Sequence, residues 1–188
     1  MQQHTYQYRP LTRDRWHDLV ALFGERGACG GCWCMWFRLP RREYEAGKGA
    51  RNRQRLKRIV EQDPPGILAY TDARAVGWCA VAPRVAYRRL RTARTMRPPD
   101  DLPVWSILCL YVDKAHRRRG LSTGLIRAAA AFAIENGAPA VEAYPVRPRT
   151  REVPPVFASQ GIVTAFLQAG FHEIARPSPS RAVVRYRP

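Results

Sequence analysis

Lysine is nearly missing from this chain of 188 residues, occurring only at positions 48, 57 and 114. Acidic residues are scarce too, 15 Asp and Glu against 32 Lys and Arg, so a formal net charge of +17 rests almost wholly on arginine. Arginine stays protonated at physiological pH and presents a fixed fork of donors to oxyanions. The excess therefore suits a partner that carries phosphate or carboxylate. The arginines are spread along the whole chain, however, and zinc-finger, RNA-recognition and basic-zipper signatures are lacking. Nucleic acid is accordingly not the expected partner. The segment Arg51-Asn52-Arg53-Gln54-Arg55-Leu56-Lys57-Arg58 reads as a solvated basic helix face.

Long apolar runs are missing as well, so no membrane span is expected. The start, Met1-Gln2-Gln3-His4-Thr5-Tyr6, has neither the basic residues nor the apolar core of a secretory signal. The cysteines number five, an odd count without the spacing of a small disulfide scaffold, which favours reduced thiols and a cytoplasmic location. Cys29 and Cys32 form a Cys-x-x-Cys pair, with Cys34 close by. The other two, Cys79 and Cys109, fall in predicted strands and the histidines do not cluster, so a four-ligand zinc site is not assembled and no metal is expected. No internal repeat is visible. The length fits one domain over 1–188 with a core that needs no staples.

What is present is an α/β order of elements. A strand over 5–9 precedes a helix capped at Thr12 with Trp16, Leu19, Val20 and Phe23 on one side. A connector rich in cysteine and tryptophan fills 27–40. One or two polar helices over 41–62 break near Gly47 and Gly49. A hairpin pairs 67–70 with 75–81, and a long basic loop covers 84–103. After the central strand and helix come a strand at 140–144, a long loop at 146–160, a late helix at 162–168, and strands near 171–175 and 182–186.

The central segment is the most informative. An apolar strand, 104–112, runs into the turn Asp113-Lys114-Ala115-His116-Arg117-Arg118-Arg119-Gly120-Leu121-Ser122-Thr123-Gly124. An alanine-rich helix follows, with Leu125, Ile126, Ala129, Ala130, Phe132, Ala133 and Ile134 spaced for one buried side. A strand feeding a helix through glycine and small residues leaves free N–H groups at the helix N-terminus, and the helix dipole makes them an anion site. Arg117-Arg118-Arg119-Gly120-Leu121-Ser122 resembles the Gln/Arg-x-x-Gly-x-Gly/Ala motif of the GNAT acyltransferase superfamily, with Ser122 at the last small position. Ala165-Phe166-Leu167-Gln168-Ala169-Gly170-Phe171 is similar to that family's late helix and Gly-Phe strand start, in the family's order.

The resemblance implies a mixed, mainly antiparallel sheet flanked by helices, with a splayed parallel strand pair, and acetyl-CoA as the cofactor. It places Leu110 and Val112 against the pantetheine arm. It assigns the phosphates to Arg117, Arg118, Arg119, Gly120, Leu121, Ser122 and Thr123. It also allows a homodimer. The late-helix tyrosine that often donates a proton in the family is Phe166 here, which cannot. That leaves Tyr144, Ser159 or solvent for the task.

Acetyl transfer to an amine needs a base to take the ammonium proton. Glu142 and Tyr144 share one strand face, and Glu142 is the candidate base with Tyr144 the candidate donor to sulfur, if that face opens to the cleft. The competing reading is a packed face paired to an arginine. Trp33, Trp36, Phe37, Trp105, Asp100 and Asp101 are the candidate acceptor contacts. Trp33 and its neighbours would otherwise plug the core, and the two aspartates would otherwise be turn residues. The expected acceptor is the amine of a small molecule, first of all an amino-sugar antibiotic of the aminoglycoside type. The basic balance suits a carboxylate-bearing acceptor better than a polycation. A protein or peptide amine, and a non-catalytic nucleic-acid-binding relative, are the alternatives.

Overall fold

The apolar stretches close into one sheet of seven strands, ordered β1-β2-β3-β4-β5-β7-β6, in a computed structural model that describes residues 5–148 and 158–188. β1 (Gln7–Pro10), β2 (Gly66–Thr71), β3 (Arg74–Pro83) and β4 (Trp105–Val112) are joined by antiparallel pairing. β5 (Val141–Ala143) lies parallel to β4, and β7 (Arg181–Tyr186) and β6 (His172–Ser178) complete the far side, antiparallel. β3 is buried along all but its ends, as a strand covered on both faces must be.

Each face has its own cover. On one side α4 (Leu121–Glu135) and α5 (Val163–Gln168) bury Val76, Cys79, Val81, Ile107 and Leu110. Ala129, Ala130 and Ala133 of α4 are almost wholly buried, and their small side chains let the helix lie close to the strands. Gly77 of β3 takes part in that approach: a Cβ there would come 2.9 Å from Leu125 Cδ1. On the other side α1 (Trp16–Phe23), the 24–40 connector and α3 (Ala50–Val60) cover Leu68, Trp78 and Ala80. A third cluster, Tyr87, Leu90, Met96, Leu108, Tyr144 and Val183, lies under the 84–103 segment.

The polar helices split where the glycines fall, α2 (Arg41–Ala46) ending at Gly47 and α3 beginning after Gly49. The basic loop is more ordered than its sequence suggests, winding through three short 3-10 turns at Arg84–Ala86, Arg88–Arg91 and Arg94–Met96. Thr12 precedes the first helical turn as expected, without a capping bond from its own side chain to the backbone; Arg15 Nη1 donates to its hydroxyl at 2.8 Å. Most of the expected 146–160 loop, residues 149–157, lies outside the described residues. Among the described residues no helix is long and apolar enough to cross a membrane.

The expected splay is present. β4 and β5 register through three pairs, Trp105 with Val141, Ser106 with Glu142 and Ile107 with Ala143. β5 then stops while β4 runs on to Val112. β4 is also irregular at this point, its register against β3 shifting between Ala80 and Val81 so that Leu108 has no partner.

Candidate active site at the parting of β4 and β5

Past Ile107, β4 presents a backbone edge with no strand against it among the described residues, and the strand leads directly into the basic turn. Two left-handed residues shape that turn, Arg118 at φ 60° and Gly120 at φ 77°. A Cβ on Gly120 would meet nothing within 4 Å, so glycine serves there for its backbone freedom and not for space. Arg117 is tied back to β4 by Nε donating to the Val112 carbonyl at 3.1 Å.

The first bond of α4 is Gly124 N–H to the Gly120 carbonyl at 3.2 Å. The amides of Leu121, Ser122 and Thr123 precede it and have no carbonyl one turn back. A helix of 15 residues stands behind them, and Arg117, Arg118 and Arg119 are exposed around them. This cradle fits a pyrophosphate in charge and in donors. Leu110 and Val112 turn their side chains toward the α4 side, Leu110 buried and Val112 at the margin of that cluster. What they offer a pantetheine arm is therefore backbone, which has the alternating donors and acceptors an amide chain needs.

Glu142 and Tyr144 do share a face, and that face is closed. Both are fully buried beneath the 84–103 segment. Tyr144 donates to Glu142 Oε2 at 2.9 Å, while Arg185 donates to Oε1 through Nε at 2.9 Å and Nη2 at 2.5 Å. Arg185 also makes a two-point bond to Asp100, 2.7 Å on each oxygen. Arg84 adds a short bond to the Tyr144 hydroxyl and a 2.9 Å bond to the Met96 carbonyl. Burial pushes the Tyr144 phenol up and keeps it protonated. Hydrogen bonds donated to Asp100 lead the forces that hold the Arg185 guanidinium charged. Of the two readings of this face, the geometry matches the packed one, paired to an arginine. The network locks the start of β5 to β7 and to the 84–103 segment.

The family profile described as Acetyltransferase (GNAT) family matches residues 33–169. The chain belongs to that family. It is an acyltransferase whose acetyl donor is acetyl-CoA. Solved structures agree in fold. An agmatine N-acetyltransferase is similar at 13% identity and TM-score 0.57, over 97% of this chain and 99% of that one. A GNAT-family acetyltransferase from Streptococcus agalactiae is similar at 12% identity and TM-score 0.56, over 97% and 95%. PaiA N-acetyltransferase from Thermoplasma acidophilum, solved in complex with coenzyme A, is similar at 12% identity and TM-score 0.55, over 98% and 99%. No curated protein sequence matches the chain.

Within this GNAT domain the aromatic candidates separate. Trp33 is 1% exposed and packs against Trp16 and Phe23, so it plugs the core beneath α1. Trp33 and Cys34 both adopt left-handed backbone, at φ 43° and 53°, which turns them inward. Trp105 stands at the end of β4 remote from the turn, partly exposed, and packs edge-on against Phe132 of α4. Trp36 is exposed, with Tyr44 edge-on and Arg89 stacked 3.7 Å from its ring centroid. Phe37 is half-buried against the cluster under the 84–103 segment. Asp100 belongs to Arg185, and Asp101 is exposed. Phe166 is fully buried edge-on to Phe171.

All five cysteines are free thiols. Cys34 Sγ lies 3.1 Å from Cys109 Sγ and accepts from Trp78 Nε1 at 3.2 Å. Hydrogen bonding with Cys109 leads the effects that push the Cys34 thiol up, and Cys34 does the same to Cys32, so neither is a thiolate near neutral pH. Among the described residues no cluster of three or more His, Cys, Asp or Glu is placed to hold a metal. A cleft of about 350 Å³ beside Arg9, Arg15, Asp18 and Tyr70 opens at the β1–β2 edge, with β3 between it and β4 in the sheet. Sequence reading missed Arg84 and Arg185, because their side-chain bonds to Tyr144 and Glu142 span 43 or more positions and leave no local signal. It also passed over Gly161, whose positive φ and tight surroundings only the fold reveals.

Proposed function

We propose that this acetyltransferase acts on the amine of a small molecule. The observation that carries the reading is the cover over the acceptor side of β4. The 24–40 connector is joined to the 84–103 segment by Arg89 N–H donating to the Phe37 carbonyl at 3.0 Å. The latter segment is in turn clamped to the sheet by Arg84 and by Asp100 on Arg185. Such a roof suits an enclosed acceptor better than an extended peptide lying in a groove. The agmatine enzyme, similar in fold, is by its name a small-amine acetyltransferase.

Glu142 enters this reading as a positioning group together with Tyr144. To act as base it would have to release Arg185 or Tyr144 while remaining fully buried. The ammonium proton is better passed to water held at the strand edge, and the departing thiolate takes its proton from solvent, because Phe166 offers none. Amino-sugar antibiotics remain one acceptor class to test, against amino acids, polyamines and lysine peptides.

The test is loss of thioester absorbance from acetyl-CoA with each panel, a readout to which the exposed Cys29 thiol is blind. Turnover with a free small amine and silence with lysine peptides is expected. Turnover confined to peptides would replace the reading with protein acetylation. Failure to bind acetyl-CoA would remove it.

A further inference from the structure

Arg38, at the end of the connector, is 8% exposed, and its Nη2 is buried with no hydrogen-bond partner. Its guanidinium carbon lies 4.7 Å from the centroid of the Tyr87 ring. Tyr87 is 2% exposed, and its hydroxyl is likewise buried without a partner. Among the described residues no carboxylate pairs with Arg38, although the same segment shows what pairing looks like at Arg185 and Asp100.

An arginine cannot shed its charge to escape burial, and a buried unpaired charge is among the costliest features a fold can carry. The Tyr87 ring face offsets part of that cost through a cation–π contact, yet no hydrogen bond reaches Arg38 Nη2 or the Tyr87 hydroxyl. Burial also pushes the Tyr87 phenol up, so it stays a donor. Two neighbouring buried groups therefore have donors to give and no acceptor to receive them.

Their position gives this deficit a use. Tyr87 shares an apolar cluster with Leu108, the β4 residue at the register shift. Leu108 is the first β4 residue past the last β5 pair, so this cluster lies against β4 where the two strands part. An anionic group held by Arg38 and Tyr87 would lie beside the stretch of β4 whose edge is free for the cofactor.

We propose that Arg38 and Tyr87 form an oxyanion subsite for the acceptor, so that the substrate is an amine that also carries a carboxylate, as in an amino acid. This rests on the acetyl-transfer reading above and narrows it. Arg38 Nη2 and the Tyr87 hydroxyl donate to the carboxylate oxygens, a charge-assisted pair of bonds, while the amine points to the β4 edge. A polycationic amino sugar gains nothing from this arrangement and is repelled by it.

The experiment uses the full chain with acetyl-CoA and matched sets of an amino acid, its methyl ester and its decarboxylated amine. The acid is expected to exceed both analogues in kcat/KM by at least about tenfold, since a site built for a hydrogen-bonding group rejects the analogue lacking it. Arg38→Gln is expected to erase that preference through KM while acetyl-CoA Kd stays within about twofold. Tyr87→Phe should weaken the preference without erasing it. Because the preference is read first on the unmodified protein, a variant that fails to fold does not blunt the test. Equal turnover of acid, ester and amine overturns the subsite, as does a preference that survives Arg38→Gln, or silence of every acid with acetyl-CoA bound. The acetyl-transfer reading itself falls only if acetyl-CoA is not bound or no amine of any class is acetylated.

Discussion

Gly161 stands so close to Leu110 that a Cβ on it would lie 2.8 Å from Leu110 Cδ1 and 2.6 Å from the Phe166 ring. Its φ of 75° is itself a conformation that side chains resist. Gly161→Ala therefore combines backbone strain with overpacking behind the cofactor strand. A loss of about 2 kcal/mol in the urea unfolding free energy is expected. Acetyl-CoA binding, followed by calorimetry, should weaken with it, because the displaced neighbour is Leu110.

The helix N-terminus permits a substitution with effects of opposite sign. Ser122→Asp places a carboxylate in the first turn of α4, where the dipole favours it by about 0.5 kcal/mol. The same carboxylate opposes the cofactor phosphates. The variant should melt at the same or a slightly higher temperature than the parent, yet bind acetyl-CoA at least about tenfold more weakly. Parallel loss of both would mean that Ser122 serves packing instead.

Glu142→Gln and Tyr144→Phe should separate an ionic role from a catalytic one. The first leaves Arg185 without its buried partner and is expected to cost about 3 kcal/mol. The second removes one neutral donor and costs about 1 kcal/mol. Denaturation midpoints give the ranking. If Glu142→Gln folds with parental stability and only turnover falls, the carboxylate is the base after all.

Acid should release the outer part of the same clamp. Hydrogen bonds from Arg185 are the main force holding the Asp100 carboxyl below its ordinary value of 3.8. A carboxyl depressed on folding stabilises above its unfolded value, and that contribution is lost as pH falls through the folded one. The melting-temperature advantage of the parent over Asp100→Asn should thus be flat from about pH 5 to pH 8 and shrink progressively as pH falls below the ordinary carboxyl value. With the Asp100 side chain 46% exposed, the advantage should also shrink in high salt.

How far the sequence reaches is seen best in neighbouring residues. Gly120 and the Arg117–Arg119 run announce the basic strand-to-helix turn because glycine, charge and helix periodicity all act locally. The Gly47 and Gly49 break between α2 and α3 is legible for the same reason. Period two correctly places Glu142 and Tyr144 on one face, but periodicity is silent about what covers a face, and Arg84 and Arg185 decide that from far along the chain. Trp33 and Trp36 are equally aromatic and three positions apart. Left-handed backbone at 33 and 34 buries the first, while the second remains at the surface.

The parallel junction of three residue pairs is the only strand pairing, among the described residues, between the β1–β4 plate and the β5–β7–β6 plate. Mechanically the sheet is two stiff boards stitched along one short seam, with Arg185 as a rivet through β7, β5 and the covering segment. Because the stitches lie at the Trp105 end, any twist of one board against the other is magnified toward Val112. Loosening the rivet would then widen the gap from its phosphate end inward, and the grip on whatever is threaded there would slacken before the sheet came apart.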